Sequence, residues 1–575
     1  MGYQKDSWDL KELLGGKDIP TLLNQAESIT KEMELYKPVF KKNISEKKFG
    51  EIISLLEKLS IVSLRLEGYA ELLFSENTKN QDAIALNSKI DEISTKIGNR
   101  LVWFGLRFVD FPKKEIDRLI KSCPHIDYYL KQIVEHKKHK LKENEEKIIN
   151  LKDKNGIEVI GKIYDLITSS LEFDLDGKNV AQEELKKEFK SPDSRRRESA
   201  YKTLLTTYSK NQNILGELYK AIASDWYDEY VVMRKYPSPI SVRNKSQDIS
   251  NKAISALINT CQRNQEVFHK FFRVKAKQLK KDKLHRTDVY APINNSKEKV
   301  GYDEAITMVL DSFKNFSEVF YKEAKNVIDK RHIHSKITPG KRNGGFCDVA
   351  PPKEYPYILI SFTEDYTSTS SLAHELGHAI QDILSGRKQN IFNMHAVLPI
   401  AETSSIFSEL LLIQYLKNRK NGIAKELLFN QIENAYATVG RQIEFVAFEI
   451  EAHELITKNP TIEEINQLYL SRLKKHFGGD VIIPDYFKHE WLYIRHIFDT
   501  PFYCYAYAFG NLLSLAIYSA YLENPKIKDK FIEFLSAGSS KSPKDLVKEL
   551  GFDIEDEKFW QKGFDQIERM IKEIE

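Results

Sequence analysis

The sequence predicts a mainly α-helical protein with one small β element beside a single specialised helix. Three observations carry this reading. Leu86, Ile90, Ile93, Ile97 and Leu101 recur at steps of three and four, the spacing of one buried helical stripe. Gly and Pro then crowd the stretch Thr338-Pro339-Gly340-Lys341-Arg342-Asn343-Gly344-Gly345-Phe346, which marks irregular backbone. The apolar, partly β-branched run 357–362 that follows it, bounded by Pro356 and polar residues, reads as a strand. Helical patterning resumes over 368–385 and continues to the C-terminus.

Taken in order, the first two hundred residues read as helices. An extended segment at 171–175 ends at Asp176-Gly177, a turn-prone pair that closes a hairpin. Ser191-Pro192-Asp193 predicts a helix start, with Ser191 as N-cap and Pro192 at the first helical position. A domain boundary is expected there, giving an N-terminal helical domain over 1–190 and a catalytic domain over 191–575. Helices run on to about Lys330, where the texture changes.

The chain has 575 residues, 41% hydrophobic, enough for a large buried core. Charged residues make up 30%, yet the formal net charge is only +4, which argues against a nucleic-acid partner. Cys123, Cys261, Cys347 and Cys504 lie far apart without zinc-ribbon spacing, so a reducing compartment is the expected home. The N-terminus lacks a signal-peptide apolar run, and no stretch approaches about eighteen consecutive apolar residues. A cytoplasmic protein with no membrane partner is expected.

The specialised helix carries His374-Glu375-Leu376-Gly377-His378. Histidines at i and i+4 project from one helical face and can reach one metal ion. Glu375 stands beside that ion without needing to bind it, where a carboxylate can take a proton from an activated water. A catalytic zinc needs a third protein ligand and an open position. His395 and Glu402 are the two candidates. Glu402 is preferred, because the apolar pattern at Ile406, Leu410 and Leu411 places it in the first turn of a second helix, a more rigid platform than a loop. Glu409, seven residues on, shares that face and is placed to hydrogen-bond a ligand imidazole. Further on, His496 precedes Tyr503, Tyr505 and Tyr507 at alternate positions, a polar aromatic cluster suited to donating hydrogen bonds to a developing oxyanion.

Together these segments resemble the M3 family of metallopeptidases, in its oligoendopeptidase F branch. The order Gly340-Lys341-Arg342, Pro356-Tyr357-Ile358-Leu359, then His374 to His378 is similar to that family's GKR…PYIL…HELGH. Phe502 to Gly510 resembles its FYxYxYAxG segment, and Phe534 to Pro543 its FLxxGxSxxP stretch. Trp8-Asp9-Leu10 near the start fits as well. The resemblance implies a zincin-type helical catalytic domain in a clam-like, two-lobed protein around a deep channel. It implies one zinc per chain held by His374, His378 and Glu402, with Glu375 as general base and short unfolded peptides as substrates. Its oxyanion donors map to His496 and Tyr507. The spacing from His496 is one residue longer than the family pattern, so Tyr503 and Tyr505 stand beside Tyr507 as alternatives. Substrate backbone is expected along 357–362 as an edge strand, with Tyr357, Ile358, Leu359, Ile360, Gly344, Gly345 and Phe346 as binding residues.

Overall fold

The structure, a computed structural model, describes residues 3–293, 298–342, 344–348 and 350–575; Asn343 of the Gly-rich stretch lies outside them. Helices dominate, as the sequence predicts. Among the described residues the strands are seven and short: β1 Phe173–Leu175, β2 Lys178–Val180, β3 Leu284–His285, β4 Ile333–His334, β5 Phe346–Asp348, β6 Tyr357–Leu359 and β7 Val481–Ile482.

The chain forms two compact units, each assembled from separate stretches. Met1–Lys138, Lys297–Leu427 and Ala520–Phe552 make the first; His139–Ser296, Leu428–Ser519 and Asp553–Glu575 make the second. The division expected near residue 190 does not coincide with these units, because chain on either side of it shares one core. Phe189 stacks on Tyr201 at 3.9 Å, and Phe173 of β1 stacks on Tyr208 at 6.4 Å.

In the first unit, long helices Ile19–Tyr36, Glu46–Glu76 and Gln81–Leu101 start on side-chain caps from Asp18, Ser45 and Asn80. The predicted stripe is the buried face of the third: Ile90, Ile97 and Leu101 enter the core, and Leu86 and Ile93 pack against it. Phe40, Phe49, Phe104 and Phe108 fill the space between these helices and the next.

The small β element of this unit is a three-stranded sheet in the order β4-β6-β5, with β6 parallel to β4 and antiparallel to β5. This corrects the expected edge strand. β6 is central, its backbone groups are taken on both sides, and Tyr357, Ile358, Leu359 and Ile360 are buried. The two edges of the sheet belong to β4 and β5, so Phe346 of β5 rather than Tyr357 to Ile360 stands where a further strand can add.

Residues far apart in sequence brace this sheet. Trp8 meets His334 edge-on at 5.3 Å and Tyr357 at 6.3 Å. Lys341 Nζ donates to the carbonyls of His334 (3.0 Å), Lys336 (2.7 Å) and Ile360 (2.6 Å), tying the loop before β5 to the sheet. The Arg342 amide donates to Ser75 O at 2.9 Å, which joins the same loop to the helix Glu46–Glu76.

In the second unit, β1 and β2 form the predicted hairpin. Asp176 (φ 53°) and Gly177 (φ 80°) are both left-handed, as a two-residue type I′ turn requires. A short helix, Gln182–Lys187, follows it, and the helix expected to start at Pro192 runs over Ser194–Lys210, two residues later. Asp193, not Ser191, is its cap and accepts from the Arg195 amide at 2.9 Å, while the Ser191 amide closes the preceding turn on Glu188 O. Ser191 Oγ instead accepts the Asp193 amide at 3.3 Å, in the turn that leads into the helix.

Candidate active site

The motif helix, Tyr366–Lys388, starts at Asp365, whose carboxylate accepts the Ser368 amide at 2.6 Å. It packs along the helix Leu398–Lys417. Gly377 sets how closely the two approach. A Cβ built there would lie 2.6 Å from Ser404 O and 2.7 Å from both Ser405 Cα and Ser408 Oγ. Only a hydrogen fits against that backbone. The facing residues Ser404, Ser405 and Ser408 are themselves small and buried, and Ser404 Oγ donates to Gln381 Oε1 at 2.7 Å across the contact.

This close pairing brings His374, His378 and Glu402 together, with one ligand atom of each within 4.8 Å of the others. Glu402 Oε2 lies 3.4 Å from His374 Nε2 and 3.6 Å from His378 Nε2. Tetrahedral zinc with bonds of about 2.0–2.2 Å holds its ligand atoms roughly 3.3–3.5 Å apart, so the three side chains fit that ion with little movement. The carboxylates also prepare the site for a cation. Burial opposes ionisation of His374, but hydrogen bonds to Glu402 and Glu409 raise its imidazole well above the ordinary range. Burial likewise acts to raise Glu402, yet the two imidazoles hold its carboxyl well below the usual range. The His374 shift reflects the negative field of the two carboxylates, and the Glu402 shift keeps one of those carboxylates ionised beside the imidazoles. His374 Nδ1 donates to Glu409 Oε1 at 2.5 Å, which fixes the tautomer that leaves Nε2 free for a metal. Ser405 Oγ donates to Glu402 Oε2 at 2.9 Å and restrains the third ligand.

A cavity of about 360 Å³ opens over these groups, lined among others by Gly345, Phe346, Cys347, Glu375, Asp382 and His395. Glu375 is buried, and burial pushes its carboxyl above the ordinary glutamate range. Its Oε1 stands 2.9 Å from where a Cβ on Gly345 would be, so the general-base candidate rests against the bare backbone leading into β5. Gly344 lies one residue before that contact, in left-handed backbone (φ 91°). His395, the rejected ligand candidate, lines the cavity but lies outside the three-ligand group. Its loop is held from behind by the Ser539 amide, which donates to Asn393 O at 2.8 Å.

In the second unit His496, Tyr503 and Tyr507 cluster. His496 Nε2 and Tyr507 OH share a hydrogen bond at 3.2 Å, and the Tyr503 ring lies 6.2 Å from His496 and 5.4 Å from Tyr507. Partial burial, then Arg441, lowers the His496 pKa below the ordinary histidine range. Tyr505 points elsewhere. It is fully buried, and its hydroxyl has no hydrogen-bond partner among the described residues. The turn before Tyr503 is fixed by Phe502, held at φ 59° with its amide donating to buried Glu449 at 2.8 Å.

Sequence reasoning passed over Gly377 and Asp382. A glycine inside a strong helical pattern was the available signal for a close packing contact. Asp382 repeats the spacing of the motif, at i+4 from His378. Replacing Gly377 by alanine is expected to weaken any metal held by His374, His378 and Glu402 by about 10-fold, because the Cβ must push the Glu402 helix away, and overpacking of this kind costs about 1–3 kcal/mol of stability. Metal titration and thermal melts of the variant check both. Unchanged zinc affinity would mean that the helices part without moving Glu402.

The family profile described as Peptidase family M3 matches residues 189–566, and one described as Oligopeptidase F matches 108–173. An oligoendopeptidase F homolog from Borreliella burgdorferi is 27% identical over 575 aligned residues, covering 96% of this chain and 94% of its own. A crystal structure of a protein from Chlamydophila abortus superposes with a TM-score of 0.88 at 21% identity, covering 99% and 97% of the two chains. The crystal structure of oligoendopeptidase-F from Enterococcus faecium superposes with a TM-score of 0.72 at 19% identity, covering 96% and 97%. With a family profile matched over more than half its length and a HELGH helix set against a glutamate-bearing partner, the chain belongs to peptidase family M3 and is a peptidase.

Proposed function

We propose that this peptidase is a zinc-dependent oligoendopeptidase that hydrolyses internal bonds of short unfolded peptides. The convergence of His374, His378 and Glu402 carries the reading, and the names of the relatives support the substrate class. The three residues would hold one zinc per chain. When bound, zinc supplies Lewis acidity that makes water nucleophilic near neutral pH. Glu375 takes the proton of the attacking water and passes it to the leaving amine, a role its burial and raised pKa suit. Glu409 keeps the His374 ring in register through Nδ1. The free edge of β5, with Gly344, Gly345 and Phe346, aligns substrate backbone by strand addition. His496 with Tyr507, seconded by Tyr503, donates hydrogen bonds to the oxyanion; the support here is the family resemblance and their mutual hydrogen bond. A cytoplasmic location follows from the sequence expectation, and no helix among the described residues is long and apolar enough to cross a membrane.

The test is to incubate the purified protein with a mixed peptide pool and map the cuts by mass spectrometry. Internal cuts in peptides of roughly five to twenty residues are expected, with full-length casein resistant, since a deep site admits only thin, short chains. Release of C-terminal residues alone would replace the endopeptidase by a metallocarboxypeptidase. A further expected result concerns the metal. Elemental analysis should find about one zinc per chain, removed by strong chelators together with activity and with a loss of thermal stability. Glu402→Gln should weaken zinc retention, whereas His395→Ala should not. Active protein free of any transition metal would overturn the metal assignment.

A further inference from the structure

The cavity over the ligand group contains a carboxyl that none of the steps above uses. Asp382 stands on the motif helix, four residues past His378 and seven past Glu375, so it continues the same helical face about 6 Å further along the axis. Its backbone carbonyl accepts from Ser385 Oγ at 3.2 Å, while its carboxyl makes no hydrogen bond or salt bridge among the described residues. Its electrostatic neighbours are His378 on its own helix and Asp348 on β5, so it lies between the ligand group and the strand whose edge is open to substrate. His395, which also lines the cavity and also lacks a hydrogen-bond partner among the described residues, carries no fixed charge to satisfy it. A sheltered carboxyl without a partner favours a ligand that brings a cationic donor with it.

We propose that Asp382 forms a side-chain subsite that selects peptides carrying lysine or arginine next to the cleaved bond. The inference rests on the hydrolytic reading of this cavity and adds a substrate preference to it. A residue flanking the scissile bond, laid along the edge of β5, sends every second side chain toward the motif helix. A long basic side chain from there follows the helix past His378 and ends at the Asp382 carboxylate.

The experiment compares peptide pairs that differ only by lysine against norleucine at successive positions around a mapped cut. With the zinc-loaded wild-type protein, lysine at one fixed position should raise kcat/KM by about 10-fold or more, the scale of one hydrogen bond to a charged group. In Asp382→Asn that ratio should fall to about 1. Cuts with no basic preference at any position overturn the proposal. So does an Asp382→Asn protein that loses zinc or slows equally on both peptides, since Asp382 would then be a positioning residue for His378. If the wild type cuts nothing, the hydrolytic reading fails, and the subsite is decided by binding of the same pairs to zinc-loaded Glu375→Gln protein. Tighter binding of one lysine peptide supports it, and equal binding throughout removes it.

Discussion

Glu375→Gln is expected to lower turnover by about 10³-fold or more while zinc stays bound. Glutamine keeps the length and shape of the side chain and its contact with the Gly345 backbone, but it has no lone pair basic enough to take a proton. General-base catalysis is worth roughly 10² to 10⁴, and in the proposed mechanism the same group also returns the proton to the amine, so both halves of the reaction should suffer. Glu375 lies outside the group of side chains that converge on the metal position, so metal content by elemental analysis should match the wild type. KM should change far less than kcat, because the carboxylate acts mainly in the transition state. Retained turnover in a metal-loaded Glu375→Gln protein would transfer the base to another residue. Loss of zinc would make Glu375 a ligand.

The Tyr507→Phe variant is expected to lose about 10² in kcat with little change in KM, the scale for one donor to an oxyanion. It removes one hydroxyl and little volume, so folding and zinc content should survive. The companion variants rank the cluster. Tyr503 shares the group with His496 and Tyr507 and should show an intermediate loss. Tyr505→Phe should leave kinetics nearly unchanged and stability equal or slightly higher, because it deletes a buried hydroxyl with no hydrogen-bond partner among the described residues. Steady-state kinetics on the three variants decide the ranking. A dominant Tyr505 would contradict its burial, and three silent variants would reduce the cluster to packing.

The parts of this site legible in the sequence are those fixed by local periodicity. The i, i+4 histidines and the glutamate beside the first of them follow from helical spacing, and so does Glu402 on the next helix, although that helix starts at Leu398 and carries Glu402 beyond its first turn rather than in it. The hairpin at Asp176-Gly177 follows from turn chemistry. What escaped depends on partners distant in the chain. Of the segment 357–362, which reads as a strand, Tyr357–Leu359 forms β6, and its rank as centre or edge is set by β4 and β5, which its own residues do not encode. Lys341 reads as one basic residue in a loop, and nothing local announces that its ammonium gathers three carbonyls. The compact units escaped for the same reason, since each is closed by segments hundreds of residues apart.

That discontinuity governs when a newly made chain becomes a working peptidase. The histidine and glutamate helices leave the ribosome well before the segment that backs them. Phe531 of the helix Ile527–Ser536 packs on Phe407 of the glutamate helix at 4.5 Å, and the Ser539 amide pins the loop at Asn393. At translation rates of roughly 5–20 residues per second, Phe531 follows Phe407 by about 6–25 s. Through that interval the ligand residues exist without their outer wall. Full proteolytic competence therefore arrives only after residues 527–539 have been made, and a chain truncated before residue 520 should remain inert toward the peptides around it.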